Sequence, residues 1–278
     1  MAIGKTVLVA GGQFKYQVAD PAATDYHLTT LGGVRLYAHP DHKGAVSAKQ
    51  IGIADSSDGT AEFARFCASR LDGITRFVCD VDFHLASPSH TGFTAAAVIT
   101  LEADNVDQIG HGKEATRTIS MLNLIQQRAT ANSLNRYTCM FDAKMFRARG
   151  LRFAYDIDVT EAEIIGNGNG NAVFYDKSGT GSGFFAEKCK TDFLSGFLLR
   201  IIDHPYWRVS DCWAGKQFYF VYLNGRCDYG LFSGNSGDMG YVDSIGTNNF
   251  GDYIKAGASL NGFGSRYCTV TSNHFVNS

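Results

Sequence analysis

Apolar and polar residues change period several times along this chain, and each change marks an element. In Asp55–Leu71, "DSSDGTAEFARFCASRL", the residues Phe63, Phe66, Cys67, Arg70 and Leu71 fall at three- and four-residue spacing, so one face of a helix is apolar. Asp58 is placed to accept hydrogen bonds from the free N–H groups of the first turn. Glu62 suits the positive end of the helix dipole, and Gly73 stands where a C-terminal glycine belongs. The pattern predicts a helix over 58–72. Immediately afterwards the period drops to two. In "RFVCDVDFHL", Phe77, Cys79, Val81, Phe83 and Leu85 alternate with Arg76, Asp80, Asp82 and His84, which predicts one strand with one buried face. The stretch "LRFAYDIDV" (Leu151–Val159) repeats that alternation, and "RTISMLNLIQQRATANSL" (Arg117–Leu134) is read as a second, less periodic helix.

Residues 1–50 carry short apolar patches, "TVLVA", "FKYQV" and "GVRLYA", between polar loops, and predict a small β-rich arm ahead of a main unit at 51–278. From about residue 150 onward, strand-like runs such as "AVFYD", "GFLLRIID", "YWRVSDC" and "FYFVYLNG" are separated by Asn, Gly, Ser and Asp. Similar residues recur at a common distance. Cys189 and Cys212, like Ser210 and Ser233, are 23 apart, while Asn224 and Asn248, like Asp228 and Asp252, are 24 apart. A repeat of that length with short strands fits stacked units that cover one another's apolar faces. A β-sandwich with regularly spaced turns is the rival architecture. Because the pattern stops at "YCTVTSNHFVNS" with no polar closing segment, the chain is expected to be the N-terminal portion of a longer protein.

Composition narrows the function classes. With 278 residues, 45% hydrophobic and 19% charged, the chain can bury a substantial core; 31 glycines and 4 prolines indicate many turns and no proline-rich linker. A net charge of −2 argues against a general nucleic-acid or anionic-membrane binder, either of which needs a basic face. No apolar run is long enough to insert in a bilayer, and the opening "MAIGKTVLVAGGQ" lacks a signal-peptide cleavage site. The seven cysteines (67, 79, 139, 189, 212, 227 and 268) are widely scattered without a C-x-x-C, and read as free, mostly buried thiols.

The order of elements resembles that of pectate-lyase-like right-handed β-helix proteins. Those open with a D-G-x-x-D-D-T-A-x-x-x-x-A-type helix, matched here by "DSSDGTAEFARFCAS" through Asp58, Thr60 and Ala61, with Gly59 in place of the second Asp. "GITRFVCDVDFHL" matches the first strand without its usual Pro and Gly. "ADNVDQIGHGKEATRTI" matches the following turn through Gly110, Gly112 and Thr116, and "RYCTVTSNHF" is similar to the strand that ends in an Asn-containing turn. The resemblance covers about residues 51–278. It implies an all-β fold, a single-stranded right-handed parallel β-helix capped by the early helix. Within that class the chain looks most like a bacteriophage tailspike. What the resemblance implies is a homotrimer, joined to a virion baseplate or tail protein by its N-terminus, made in the host cytoplasm and acting outside it on bacterial capsule or O-antigen polysaccharide. The alternatives are a free polysaccharide lyase, hydrolase or epimerase of the same fold, or a non-catalytic anchoring fragment.

Candidate chemistry follows from those partners. Glycosidases need two carboxyl groups, and lyases need a base beside a uronate. Among the later carboxylates, Asp228, Asp252, Asp203 and Asp211 are the catalytic candidates. Equal spacing would put Asp228 and Asp252 on successive strands, about 5 Å apart at the backbone. Flat rings with polar tips suit sugar faces, so Tyr206, Trp207, Trp213 and Tyr241, with Arg208 for an acidic glycan, are the carbohydrate-binding candidates. Asp80, Asp82 and His84 share one strand face and are read as solvated, not as a metal site. "GKT" (Gly4–Thr6) and "GNGNGNAVF" (Gly166–Phe174) lack the context of phosphate or dinucleotide loops, so no cofactor is expected.

Overall fold

A computed structural model describes residues 2–9, 12–69, 71–85, 98–121, 145–155, 171–175, 183–192, 194–202, 205–215, 217–224, 227–238, 252–257 and 266–276. Four strands near the N-terminus (Thr6–Val9, Phe14–Val18, Leu28–Thr29, Arg35–Ala38) form an antiparallel sheet. The remaining strands pair in parallel. A first eight-stranded sheet contains Ala45–Ser47, Arg76–Cys79, Val98–Ala103, Met145–Arg149, Phe184–Glu187, Trp207–Ser210, Leu231–Ser233 and Thr269–Thr271, adjacent in that order. A second contains Ser57–Asp58, Phe83–Leu85, Thr118–Met121, Arg152–Tyr155, Lys190–Asp192, Trp213–Ala214, Ser236–Asp238 and His274–Val276. A third, four-stranded sheet holds Asn171–Tyr175, Leu194–Ile202, Gln217–Asn224 and Asp252–Gly257.

The expected all-β, single-stranded right-handed β-helix is corrected by this arrangement. Parallel strands alternate along the sequence between separate sheets, and an α-helix, Thr60–Ala68, is built into the packing, so the organisation resembles an α/β fold. The physical reason for the miss is that alternation reports a buried face and nothing about which strand lies beside it. The helix is also more than a cover. Its Phe63 and Phe66 contact Phe77 at ring-centroid distances of 5.4 and 4.8 Å, and Phe66 meets the buried His27 of the antiparallel sheet at 5.6 Å. One apolar cluster therefore runs from Tyr16 and Leu36 through the helix to Val209 and Phe232. Tyr16 tightens the same junction by donating its hydroxyl to the Gln50 carbonyl at 2.7 Å.

Local details differ from the sequence pattern in three places. The helix starts two residues late, with Gly59 at its cap position; Asp58 Oδ1 accepts from the Thr60 N–H at 2.9 Å, just outside the helix. "RFVCDVDFHL" is two strands with a bend at Asp80–Asp82, each joining a different sheet. The bend exists because its carboxylates answer backbone donors: the Lys49 N–H donates to Asp80 Oδ1 at 3.1 Å and the Thr118 N–H to Asp82 Oδ1 at 3.0 Å. Finally, the expected second helix begins as a strand, Thr118–Met121, paired in parallel on both sides; the rest of that segment and Asp156 and Asp158 lie outside the described residues. Of the six described cysteines, all are free, and all but Cys268 are buried. Among the described residues no helix is long and apolar enough to cross a membrane.

Candidate functional site

Three bulky residues break the usual backbone rule at equivalent positions of the first sheet. Tyr206, Tyr229 and Tyr267 have φ of 61°, 57° and 56°, the left-handed region that disfavours residues with a Cβ by roughly 1–2 kcal/mol each. Each stands at the approach to a strand of that sheet. They are tied in sequence: the Tyr206 N–H donates to the Asp228 carbonyl at 3.0 Å, and the Tyr229 N–H to the Arg266 carbonyl at 2.9 Å. The reversed backbone turns all three rings outward, where they stack with centroids 5.2 and 5.0 Å apart and planes within 15° and 10°. They are 54%, 50% and 69% exposed, among the most exposed large side chains described. Facing rings cover each other, so solvent meets a ribbon of ring edges and the outer face of Tyr267.

The ladder continues into a row of outward residues on the same sheet. Gly183 holds the position equivalent to Tyr206: the Phe146 N–H donates to the Gly183 carbonyl, and the Phe184 N–H to the Tyr206 carbonyl. A Cβ at Gly183 would lie 2.7 Å from the Phe185 ring, so that ring folds over the space where a fourth tyrosine would stand. Phe185 is in register with Arg147 on one side and Arg208 on the other. The Arg147 guanidinium sits 5.4 Å from the Phe185 ring centroid, and Arg208 Nε donates to Ser210 Oγ at 3.1 Å. Neither guanidinium pairs with a carboxylate among the described residues.

The neighbouring row on that face is charged, and it draws in Arg76 from the row of Arg147. Glu102, 1% exposed, receives Arg76 Nε at 2.7 Å and Arg149 Nη1 at 3.1 Å, while Arg149 Nε lies 3.4 Å from Glu187 Oε2. Glu102 and Glu187 thus flank one arginine.

The residues expected from the sequence scatter around this surface. Tyr206 and Arg208 belong to it. Trp207, next to Tyr206, turns inward instead: it is buried, and its Nε1 donates to the Cys227 carbonyl at 3.1 Å. Trp213 lies in the second sheet beneath Lys113, whose Nζ is 4.9 Å from the indole centroid. Asp211 occupies a bend with φ 54°, its carbonyl accepting from the Gly112 N–H at 2.7 Å. Asp228 is buried and accepts the Arg266 N–H at 2.8 Å. Asp228 and Asp252 are not neighbours: Asp252 opposes Tyr219 in the third sheet, and Asp228 meets Arg266, 38 residues away. Asp203 and Tyr241 lie outside the described residues. No group of three or more metal-type ligands forms among the described residues.

Tyr229 and Tyr267 were not singled out from sequence. Tyr206 and Tyr229 are 23 apart, the same interval as Cys189 and Cys212, so that interval pointed to the first pair. Tyr267 follows a longer excursion and carried no such signal.

No protein-family model, curated protein or solved structure matches this chain. Its function therefore rests on the surface itself.

Proposed function

We propose that this chain recognises a polysaccharide, in the manner of a receptor-binding protein for a bacterial surface glycan, and that the Tyr206–Tyr229–Tyr267 ladder is its contact strip. The observation that carries this is three exposed tyrosines stacked in register at a backbone conformation asparagine or glycine would adopt with less strain. Tyrosine offers rigid, amphipathic contact area at low entropic cost, which is why it dominates adaptable binding surfaces. A ladder with one regular step matches a partner that is itself repetitive. An extended saccharide chain has that property, with hydroxyl groups for the phenols and a C–H face for the open face of Tyr267. Recognition is favoured over cleavage, because Asp228 and Asp252, the pair expected to cleave, are not neighbours, and Glu102 and Glu187 beside the ladder both face Arg149.

The test is Tyr229→Asn, which suits the left-handed backbone while removing the central ring. Affinity electrophoresis through gels containing capsule or O-antigen extracts should show retardation of the wild type. The variant should lose about 2 kcal/mol or more of binding, the level of a central aromatic anchor, with its thermal midpoint preserved. Equal retardation of the two proteins would refute the assignment.

A further inference from the structure

The row beside the ladder assigns the glycan a charge. Resting on the glycan-binding role proposed above, we infer that Arg147, Phe185 and Arg208 form a subsite for an anionic sugar, one carrying a carboxylate or a phosphodiester, at the Tyr206 end of the ladder. Three observations converge. The residues are consecutive in one row of three parallel strands, so the two arginines stand two strand spacings apart, about 9.6 Å at the backbone, on either side of a ring. Other arginines of this face are already committed: Arg76 and Arg149 close on Glu102, and Arg149 reaches Glu187. Arg147 and Arg208 have no carboxylate among the described residues, so their forks of donors remain for a ligand anion. The third observation is continuity. With no side chain at Gly183, the Phe185 ring occupies the next position along the tyrosine line, so a saccharide following the ladder runs alongside Arg208 and then Arg147. The ring takes the apolar face of the sugar while an arginine takes its anionic edge. The occupant is anionic on grounds of charge complementarity: a neutral sugar would leave two guanidinium groups facing it without a counter-charge.

The test uses the full chain in affinity electrophoresis against polygalacturonate, hyaluronate and polysialate, each beside its carboxyl-reduced form, and against a teichoic acid. At least one charged polymer should retard the protein, and its reduced form should bind about tenfold more weakly, the worth of one charge-assisted hydrogen bond. Retardation by the carboxylated polymers alone assigns the anion as a carboxylate, and by teichoic acid alone as a phosphodiester. Arg147→Gln and Arg208→Gln should each reproduce that loss toward the charged polymer, reduce its salt dependence, and leave binding of the reduced form unchanged. Tyr229→Asn should weaken both forms. Equal binding of charged and reduced polymers overturns the anionic subsite while leaving glycan recognition standing. Retardation that responds to the arginine variants but not to Tyr229→Asn overturns the ladder and the subsite's place at its end, and no retardation by any polymer overturns both readings. Circular dichroism of the glutamine variants separates loss of fold from loss of ligand, and an unfolded Arg208→Gln is replaced by Arg208→Lys, which keeps charge without the fork.

Discussion

A buried side-chain ladder gives the sharpest stability test. At the bend between the first and second sheets, each backbone N–H is answered by the side chain of the next strand along. The Cys189 N–H points to Cys212 Sγ at 3.3 Å, the Cys212 N–H donates to Asn235 Oδ1 at 3.0 Å, and the Asn235 N–H donates to Asn273 Oδ1 at 3.0 Å. The same side chains reach back to carbonyls: Cys212 Sγ to Ala186 at 3.6 Å, Asn235 Nδ2 to Val209 at 2.9 Å and Asn273 Nδ2 to Phe232 at 3.0 Å. Asn235 is fully buried. Asn235→Ala removes an acceptor and a donor at once and leaves the buried Cys212 N–H facing a void. An orphaned buried donor costs about 1–3 kcal/mol and each lost neutral bond about 1, so the variant should lose roughly 3 kcal/mol. Thermal unfolding should then shift downward by roughly 6–12 °C. Asn235→Cys, which copies the sulfur of Cys212, should lose less than Asn235→Ala, because a thiol keeps a weak acceptor and donor in place. Cys212→Asn should be neutral or stabilising, since the amide would regain both partners in stronger form. If Asn235→Ala unfolds at the wild-type midpoint, or if the cysteine and alanine variants are equal, the ladder does not carry the stability ascribed to it.

Two further perturbations test the edges of the structure. Gly112 touches the backbone of another strand so closely that a Cβ would fall 2.2 Å from the Cys189 carbonyl oxygen and 2.7 Å from the Trp213 nitrogen. Gly112→Ala should therefore detach the His111–Glu114 turn, lower stability by about 1–3 kcal/mol as overpacking does, and raise the fluorescence accessibility of Trp213 to quenchers; unchanged quenching would refute the contact. The second is a pH effect. Arg117 donates to both oxygens of Asp104, at 2.7 and 2.9 Å, and holds that carboxyl below its ordinary range. A depressed folded-state carboxyl stabilises the fold above the unfolded value and loses that contribution as pH falls through the folded one. The stability gap between wild type and Arg117→Gln should be constant from neutral pH down to about 5, then close below about 4; a gap that persists in acid would refute the pairing.

Much of the element content was visible in the chain, and the connections between elements were not. Phe63, Phe66 and Cys67 marked a helix face because burial on a helix leaves a 3.6-residue trace, and all three are buried. Phe77 to Leu85 marked a buried face equally well, yet hid a bend, because Val81 on the bend is itself buried and keeps the alternation intact. Which strand lies beside which is set by the length of the intervening excursion. The 23-residue interval held for Ser210 and Ser233, which do oppose each other, and the 24-residue interval failed for Asp228 and Asp252, where Asp228 instead meets Arg266 across a longer excursion. The all-β assignment failed for a related cause, since period-two runs do not state that their neighbours are parallel or drawn from separate sheets. At the site, residue type misled in one direction: Trp207 looked like a sugar platform and is core, because its neighbour Tyr206 takes the left-handed turn and sends the indole inward. No pattern in one sequence announces a tyrosine at positive φ.

Arg147 and Arg149 show why charge alone could not have located the site. They are two residues apart on one strand, point to the same face and are both half-buried. Arg149 stands in the row that contains Glu102 and Glu187, and both carboxylates face it; Arg147 stands in the row that contains Thr100 and Phe185, where no carboxylate among the described residues answers. Row membership does not decide it alone, since Arg76 is in register with Thr100 in the row of Arg147 and still reaches across to Glu102. A buried carboxylate such as Glu102 requires its arginines, since removing either partner leaves an uncompensated charge, so Arg76 and Arg149 are fixed by folding. Among the described residues Arg147 and Arg208 have no such obligation, and what they contribute there is the Phe185 contact and one hydroxyl bond. Positive charge held half-buried with no carboxylate partner among the described residues costs solvation, and it sits beside three strained, exposed tyrosines. Two separate departures from the most stable solution meet on one face of one sheet, which is where a binding surface is to be sought.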